Sequence, residues 1–304
     1  MVGPTATGKT DLSLALAGAL PVEILVADSR QVYRGMNVGT AKAGTAAQTR
    51  VPHHLLDLVE PDQAFTVAQW VELARSLLPD IAGRGRLPLV VGGTGLYVTA
   101  LVDGFDFASQ PWSPELRQRL AAELEAEGLP ELAARLIRLD PAGAARTDLR
   151  NPRRVLRALE RAELVGNAAA ATVGLDPYPG RLALLGLSRP WAVLDRRIGE
   201  RAAAMFAGGL LEETRALLER GLDPDLPALT GHGYAEAARH LAGEWSLEEA
   251  IASTARRVRR YARRQMSWFR RDRRIVWLDA DDGPADEPAL VRRGSDLLLR
   301  LTLG

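Results

Sequence analysis

The feature that most constrains this chain is the segment Gly3–Thr10, which matches the pattern G-x-x-x-x-G-K-[ST] at every required position. Backbone N–H groups of such a loop surround a phosphate group, and the helix that follows directs the positive end of its dipole at the same anion. Lys9 is expected to neutralise phosphate oxygens, and the Thr10 hydroxyl is placed to ligate Mg²⁺. The segment, called here the phosphate loop, predicts a binding site for phosphate or diphosphate.

The segments around the phosphate loop predict the fold class. Residues 23–27 and 87–91 have the character of buried strands, and three leucines follow the loop at helical spacing, Leu12, Leu16 and Leu20. Strand, loop, helix and strand in this order predict an α/β fold with a P-loop NTPase-like parallel sheet flanked by helices. Such loops follow a buried strand. Only Met1 and Val2 precede this one, so we expect either a native start further upstream or a very short first strand.

The middle of the chain has a different character and predicts an all-helical insertion domain. Ser113-Pro114 and Asn151-Pro152 are each typical of an N-cap followed by proline in the first helical turn. Leucine- and alanine-rich helical patterns continue to about residue 166, and strand character returns at residues 181–187. We therefore divide the chain into a first core part, residues 1–109, the insertion, residues 110–176, and a second core part, residues 177–304.

Local patterns also place two helix starts and the last strand. Thr66 with Gln69, and Ser246 with Glu249, have the spacing of capping boxes. The first is expected to open a helix to about residue 81 and the second a long helix to about residue 271. Residues 275–278 are expected to form the last strand.

Composition excludes several classes of function. The chain has no cysteine, which rules out disulfides, thiolate metal sites and a cysteine nucleophile. The histidines do not have metal-ligand spacing, so zinc is not expected; they are His53, His54, His232 and His240. Neither a bilayer-spanning apolar run nor a signal peptide is evident, so we expect a cytoplasmic protein with no membrane partner. We also expect a monomer.

Lysine is nearly absent from the chain. Lys9 and Lys42 are the only lysines among 39 basic residues, and the net charge is only +1. Where arginine serves everywhere else, a retained lysine indicates a position that needs a compact ammonium group. We expect Lys42 to make a tight polar contact near an acceptor or an active-site loop, with chance retention as the alternative.

Asp28 is the carboxylate at the tip of the strand of residues 23–27, whereas the other strand ends in Gly92-Gly93-Thr94 without a carboxylate. If Asp28 orders the water shell of the metal, the protein is a nucleotide-binding small-molecule kinase or ATPase that uses ATP. If Asp28 faces an acceptor, it is a general base. The chemistry of the loop alone leaves both open.

Several further segments together resemble one family, the bacterial tRNA dimethylallyltransferases, also called tRNA isopentenyltransferases. Each segment is weakly specific apart from the phosphate loop, but their succession along nearly the whole chain is highly specific. The matching segments are Asp28-Ser29-Arg30-Gln31-Val32-Tyr33-Arg34-Gly35-Met36, Gly39-Thr40-Ala41-Lys42, Pro52-His53-His54-Leu55-Leu56-Asp57, Gly92-Gly93-Thr94-Gly95-Leu96-Tyr97, Gly231-His232-Gly233-Tyr234 and Arg263-Arg264-Gln265-Met266-Ser267-Trp268-Phe269.

The resemblance implies a reaction and catalytic roles. The family transfers a dimethylallyl group from dimethylallyl diphosphate to N6 of the adenosine 3′-adjacent to the anticodon of tRNA, releasing diphosphate, and Mg²⁺ is the expected cofactor. Asp28 matches the general base, and Thr94 matches a residue beside the reaction centre. Lys9 and Arg201 would stabilise the charge that develops on the diphosphate. The residues matched to diphosphate contacts are Gly3, Pro4, Thr5, Ala6, Thr7, Gly8, Lys9, Thr10 and Arg201.

The resemblance also implies contacts with the anticodon stem-loop of tRNA. Arg30, Thr230 and Ala235 depart from the residues common in the family. The positions matched to tRNA contacts are Asp28, Ser29, Arg30, Gln31, Thr94, Arg117, Arg153, Arg154, Val155, Leu156, Arg157, Thr230, Gly231, His232, Gly233, Tyr234 and Ala235.

A run of arginines near the end of the chain also predicts RNA binding. Asp272 is the only acidic residue among these arginines, whereas a solvated helix face usually alternates in sign. A non-catalytic, nucleotide-regulated RNA-binding module is therefore a third possibility. Tyr261 and Trp268 are expected to be core residues, with base-stacking platforms as the alternative. The arginines are Arg256, Arg257, Arg259, Arg260, Arg263, Arg264, Arg270, Arg271, Arg273 and Arg274.

Overall fold

The computed structural model describes residues 1–105, 113–165 and 175–302, and the chain divides into two units. The core unit consists of residues 1–101 and the chain from residue 179 onward, and the helical unit consists of residues 102–178. The predicted start of the insertion at residue 110 lies outside the described residues. Among the described residues, no helix has both the length and the apolar character needed to span a bilayer.

The core unit is built on parallel strands that form two hydrogen-bonded groups. In the first group β1 pairs with both β2 and β3, and in the second group β4 pairs with β5. The strands are β1 (Val22–Ala27), β2 (His53–His54), β3 (Leu87–Gly92), β4 (Leu184–Ser188) and β5 (Ile275–Asp279). The predicted parallel sheet is thus confirmed, although its fourth strand begins at residue 184 rather than 181.

Met1 and Val2 join the two groups of strands. The Met1 amino group donates to the Val90 oxygen at 2.6 Å, and the Gly92 N–H donates to the Met1 oxygen at 3.2 Å. On the other side, Val2 exchanges backbone hydrogen bonds with Leu185 and Leu187 at 2.7 and 2.9 Å. The two residues before the phosphate loop therefore occupy the place of the short first strand, between β3 and β4.

Helices flank this sheet. Leu12 and Leu16, two of the leucines predicted to face the core, are fully buried against β1 and β4 residues, and burying one such side chain stabilises the fold by about 1.5–3 kcal/mol. The helices of the core unit are α1 (Lys9–Ala19), α2 (Thr45–Arg50), α3 (Val67–Gly83), α4 (Gly95–Asp103), α9 (Trp191–Met205), α10 (Leu211–Glu219), α11 (Tyr234–Leu241), α12 (Leu247–Phe269) and α13 (Pro288–Thr302). A kinked segment (Phe206–Leu210) joins α9 to α10, because the backbone leaves helical geometry at Gly208 and Gly209.

Both predicted capping boxes are present. The Thr66 and Ser246 side chains accept hydrogen bonds from the Gln69 and Glu249 N–H groups at the starts of α3 and α12. Caps of this kind contribute about 1 kcal/mol each. Helix α12 ends at Phe269, two residues before the predicted end.

The helical unit has a hydrophobic core of its own. Its helices pack around fully buried leucines and Val155. The predicted cap at Ser113 is present, since its hydroxyl accepts the Leu116 N–H at 3.1 Å. The helices are α5 (Pro114–Glu127), α6 (Leu129–Leu139), α7 (Pro141–Arg146) and α8 (Pro152–Val165).

Candidate functional site

The phosphate loop runs from the short first strand into α1 and presents free N–H groups. Gly3 and Gly8 have φ angles of 140° and 96°, which disfavour any residue with a side chain, so both glycines are needed for this backbone path. In the described part of the chain, the N–H groups of Ala6, Thr7 and Gly8 have no hydrogen-bond acceptor. Together with the N-terminus of α1, these donors form a cradle suited to an anion.

Lys9 lies across the phosphate loop. Its Nζ donates to the Gly3 oxygen at 3.0 Å and to the Pro4 oxygen at 2.7 Å. Burial and, to a smaller extent, the nearby positive charge of Arg201 lower the pKa of Lys9 to about 7, against the opposing effect of the negative charge of Asp28. An anion bound in the cradle would raise this pKa and keep the ammonium charged.

Arg201 and Asp28 face Lys9 from α9 and from the end of β1. Arg201 is half-buried and forms no hydrogen bond or ion pair with the described residues. Burial lowers its pKa, while the negative charge of Asp28 raises it. Asp28 makes no ion pair within the described ranges, and its Oδ1 accepts the Arg30 N–H at 2.8 Å. The structure thus brings two cations and one uncommitted carboxylate together at the phosphate loop.

Thr94 lies beside Asp28 at the end of β3. Its hydroxyl oxygen accepts the Ser29 N–H at 3.0 Å, and its own N–H donates to the Ala27 oxygen at 3.1 Å. The Tyr261 hydroxyl lies near Thr94. Burial raises the pKa of Tyr261 to about 12, and the negative charge of Asp28 contributes to this rise. Asp28 therefore lies between the two cations at the phosphate loop and the neutral hydroxyl groups of Thr94 and Tyr261.

The loop of residues 29–42, called here the 29–42 loop, is held in place by Glu213 of α10. The Glu213 carboxylate accepts hydrogen bonds from the Asn37, Val38 and Gly39 N–H groups at 2.8 to 3.2 Å. It also accepts the Tyr234 hydroxyl at 2.5 Å. Tyr234 is fully buried, so this predicted tRNA-contact residue directs its side chain into the core unit.

Lys42 makes the tight polar contact that its retention predicts. Its side chain is only 3% exposed. Its Nζ donates to the Tyr33 oxygen at 3.0 Å and to the Asp57 carboxylate at 2.5 Å. Lys42 therefore fixes the middle of the 29–42 loop to the segment after β2.

The turn of residues 230–235 is held by arginines and lies close to Tyr261. Arg30 donates to the Pro227 and Ala228 oxygens just before the turn, and Arg257 donates to the Thr230 oxygen at 2.9 Å. The His232 ring lies 5.3 Å from the Tyr261 ring. Burial lowers the pKa of His232 to about 4, so the imidazole is neutral at pH 7.

The predicted tRNA contacts of the helical unit fall into two groups. Arg117 and Arg157 hydrogen-bond to the buried carboxylate of Glu160 at 2.9 and 2.5 Å. Burial alone would raise the pKa of Glu160, but these hydrogen bonds outweigh burial and lower it. The adjacent positions of α8 differ: Arg153 and Arg154 are exposed, Leu156 is half-buried, and Val155 is fully buried in the core of this unit.

The arginines of α12 differ in whether they lie near a carboxylate. Arg257 pairs with Glu236, and Arg259 and Arg263 lie near Asp195. Three other arginines are exposed, have no ion pair with described residues, and are spaced four apart on one face of the helix: Arg256, Arg260 and Arg264.

The core prediction for the aromatic residues of α12 is wrong for Trp268. Its surface is 39% exposed, because it lies at the end of the helix, where its Nε1 donates to the Thr99 hydroxyl at 3.1 Å. Tyr261 is half-buried.

Sequence reasoning missed four residues that hold the two loops. Gln265 accepts the Thr5 N–H at 2.8 Å and donates to the Gly93 oxygen at 2.8 Å, so it connects the phosphate loop to the end of β3. Arg189 and Arg197 contact the phosphate loop from behind, and Glu213 holds the 29–42 loop. Gln265 lies within a segment that carries the family resemblance, which was the one available signal.

Comparisons with known proteins agree over nearly the whole chain. A protein-family model described as IPP transferase matches residues 31–272. The chain is 50% identical to a tRNA dimethylallyltransferase of Anaeromyxobacter dehalogenans, with 96% of this chain and 97% of that protein covered. It is 46% identical to a tRNA dimethylallyltransferase of Thermobifida fusca, with 99% and 96% covered.

Solved structures give the same result. A full-length tRNA isopentenylpyrophosphate transferase from Bacillus halodurans superposes with a TM-score of 0.73 at 38% identity, covering 99% of this chain and 96% of that one. A eukaryotic dimethylallyltransferase acting on tRNA superposes with a TM-score of 0.80 at 25% identity, covering 98% of this chain and 78% of that one.

Proposed function

This chain belongs to the IPP transferase family, and we propose that it transfers a dimethylallyl group from dimethylallyl diphosphate to a tRNA adenosine. The acceptor atom is N6 of the adenosine 3′-adjacent to the anticodon, and the products are modified tRNA and diphosphate. One observation carries the proposal: two cations, Lys9 and Arg201, lie near the carboxylate of Asp28 at the phosphate loop. Such a site offers cations to a leaving group and a carboxylate to an incoming amine.

The diphosphate leaving group would bind to the phosphate loop. As the bond between the allylic carbon and the diphosphate oxygen breaks, negative charge develops on the diphosphate. Lys9, Arg201 and the free N–H groups of the loop are the donors available to stabilise that charge. These donors are already in place before the reaction, so little reorganisation is needed at the moment of transfer.

The acceptor adenosine would bind beside Asp28. The exocyclic amine of adenine is a poor nucleophile because its lone pair is delocalised into the ring. When N6 forms its bond to the allylic carbon, Asp28 takes the proton that N6 loses. General-base catalysis of this kind contributes about 10²–10⁴-fold. The target base must leave its stack to reach such a group, as in other enzymes that modify bases.

The residues at the start of α1 fit a magnesium ion bound together with diphosphate. The Thr10 side chain is exposed in the first turn and its hydroxyl has no partner among the described residues. The described part of the chain contains no cluster of three or more metal-ligating side chains. Mg²⁺ is commonly held in this way, by a few protein oxygens, phosphate oxygens and water. When bound, the ion would neutralise charge on the diphosphate.

The RNA would bind to exposed basic surfaces, which each unit carries. In the core unit, Arg256, Arg260 and Arg264 form a stripe without carboxylate partners among the described residues, and in the helical unit Arg153 and Arg154 are exposed. Phosphate contacts of this kind release counterions, so tRNA affinity should fall steeply with salt. The turn of residues 230–235 would then approach the RNA near Asp28.

Incubation with labelled dimethylallyl diphosphate, Mg²⁺ and unmodified tRNA tests the proposal. Label should enter the tRNA at the adenosine next to the anticodon, and a tRNA with another base at that position should stay unlabelled. A small-molecule kinase would instead turn over ATP without RNA. An RNA-binding module would bind tRNA but leave it unlabelled, and either of these results would contradict the proposal.

A further inference from the structure

Two arginines contact the phosphate loop on the side opposite its free N–H groups. Arg189 Nε donates to the Thr7 oxygen at 2.8 Å, and Arg197 Nε donates to the Ala6 oxygen at 3.0 Å. Arg189 comes directly after β4, and Arg197 lies in α9 one turn before Arg201. The loop is therefore held from behind by two positive charges.

These two contacts act on the peptide groups that face the anion. The Thr7 oxygen and the Gly8 N–H belong to one peptide group, and the Ala6 oxygen and the Thr7 N–H belong to another. A cation hydrogen-bonded to the oxygen fixes the plane of the peptide and draws electron density from the N–H, which becomes a stronger donor. Both N–H groups are among those without an acceptor in the described chain.

The burial of Arg189 points to an anion on the other side of the loop. Arg189 is only 5% exposed, and its remaining hydrogen bonds go to the backbone oxygens of Ala280, Asp281 and Gly283 at 2.7–2.8 Å. No carboxylate within the described residues forms an ion pair with it, and its Nη2 is buried without an acceptor. Asp11, Asp281 and Asp282 act on Arg189 only from beyond ion-pair distance, and burial outweighs them and lowers its pKa, so the buried charge is incompletely compensated. A diphosphate in the cradle would add negative charge one peptide group away.

We propose that Arg189 and Arg197 are positioning residues that orient and polarise the N–H groups of the phosphate loop for a diphosphate ligand. They act through the Thr7 and Ala6 carbonyls and do not touch the ligand. The inference rests on the proposed function only in that the ligand of the loop is a diphosphate. Part of the affinity for diphosphate then comes from the charges of Arg189 and Arg197, on the other side of the loop.

Titration with inorganic diphosphate in the presence of Mg²⁺ tests the proposal. Arg197→Gln should weaken diphosphate binding about tenfold, equal to about 1.4 kcal/mol. It should raise KM for dimethylallyl diphosphate by a similar factor and leave KM for tRNA within about twofold. Arg197→Lys should recover part of the affinity, because it keeps the charge but not the planar donor. Calorimetry and steady-state kinetics give these values.

Arg196→Gln is the matched control. Arg196 is the neighbouring residue of α9 and pairs with Glu200 and Asp282 at the surface, so its removal changes the net charge equally without touching the loop. Diphosphate affinity of this variant should stay within about twofold of the wild type. Equal affinities of Arg197→Gln and Arg196→Gln would overturn the proposal. So would a variant Arg197→Gln that loses thermal stability without ligand but binds diphosphate normally.

Arg189→Lys provides a second test, because it keeps a buried cation. The rise in Tm that diphosphate causes should be smaller than in the wild type, since the shorter ammonium side chain cannot hold both the loop and residues 280–283. An unchanged rise in Tm would contradict a role for Arg189. If the wild type binds diphosphate but transfers no label to tRNA, the proposed function fails while this inference stands.

Discussion

Charged side chains hold the backbone of both the phosphate loop and the 29–42 loop, but only cations hold the first, whereas Glu213 and Lys42 together hold the second. Arg189 and Arg197 hold the phosphate loop through its carbonyl oxygens, which leaves N–H groups free for an anion. Glu213 holds the 29–42 loop through three consecutive N–H groups. The two sides of the site should therefore respond separately to mutation, one through diphosphate and the other through tRNA.

The largest effect should come from removing the base on the acceptor side. Asp28→Asn should lower kcat by about 10²–10⁴-fold, because the amide cannot take the proton from N6. Affinity for inorganic diphosphate and for tRNA should stay within a few-fold of the wild type. Single-turnover transfer assays and equilibrium binding measure these quantities. If the variant transferred the dimethylallyl group at the wild-type rate, Asp28 would not be the general base.

The next largest effect should come from removing a cation on the diphosphate side of the site. Arg201→Gln should reduce kcat/KM for dimethylallyl diphosphate by about 10²–10³-fold, as expected for the loss of one charge-stabilising donor. tRNA binding, followed by filter retention, should not change. If the variant bound tRNA more weakly but kept the wild-type kcat/KM for dimethylallyl diphosphate, Arg201 would act on tRNA and not on the diphosphate.

A smaller effect should come from loosening the 29–42 loop. Glu213→Gln replaces a carboxylate that accepts three N–H groups with an amide that can accept only at its single oxygen, and hydrogen bonds to charged groups contribute about 1.5–3 kcal/mol. KM for tRNA should rise about tenfold, with diphosphate affinity unchanged. Glu212→Gln is the control, since Glu212 is the exposed neighbour in α10. Identical kinetics of the two variants would show that Glu213 has no positioning role.

The smallest effect should come from Lys42→Arg. The larger, planar guanidinium cannot replace a 3%-exposed ammonium that contacts the Tyr33 oxygen and Asp57 without local rearrangement. We expect a loss of about 1 kcal/mol in the free energy of unfolding, measured with urea, and a few-fold rise in KM for tRNA. Wild-type stability together with wild-type kinetics would indicate that lysine is retained by chance.

The sequence predicted those parts of the molecule that depend on local patterns. The phosphate loop, the strand that ends at Asp28 and the capping boxes at Thr66 and Ser246 each follow from residues within a few positions of one another. The packing of Lys42 was also expected, because a retained lysine in an arginine-rich chain is itself a signal.

The remaining contacts could not be predicted because they join distant segments. Arg189 and Thr7 are 182 positions apart, and Gln265 and Thr5 are 260 apart. An arginine in a sequence does not reveal its partner: Arg117 was matched to tRNA by resemblance, and the structure shows that it also pairs with buried Glu160. Only the fold determines which charges meet each other and which face outward.

If Asp28, Lys9 and Arg201 form one site at the phosphate loop, the charge of each must affect the titration of Lys9. With only two lysines in the chain, isotope-labelled lysine gives two side-chain NMR signals, and Lys42→Arg assigns them. The Lys9 pKa should lie at about 7, fall further in Asp28→Asn and rise in Arg201→Gln. A Lys9 pKa near the ordinary 10.5, or one that neither variant moves, would contradict the account.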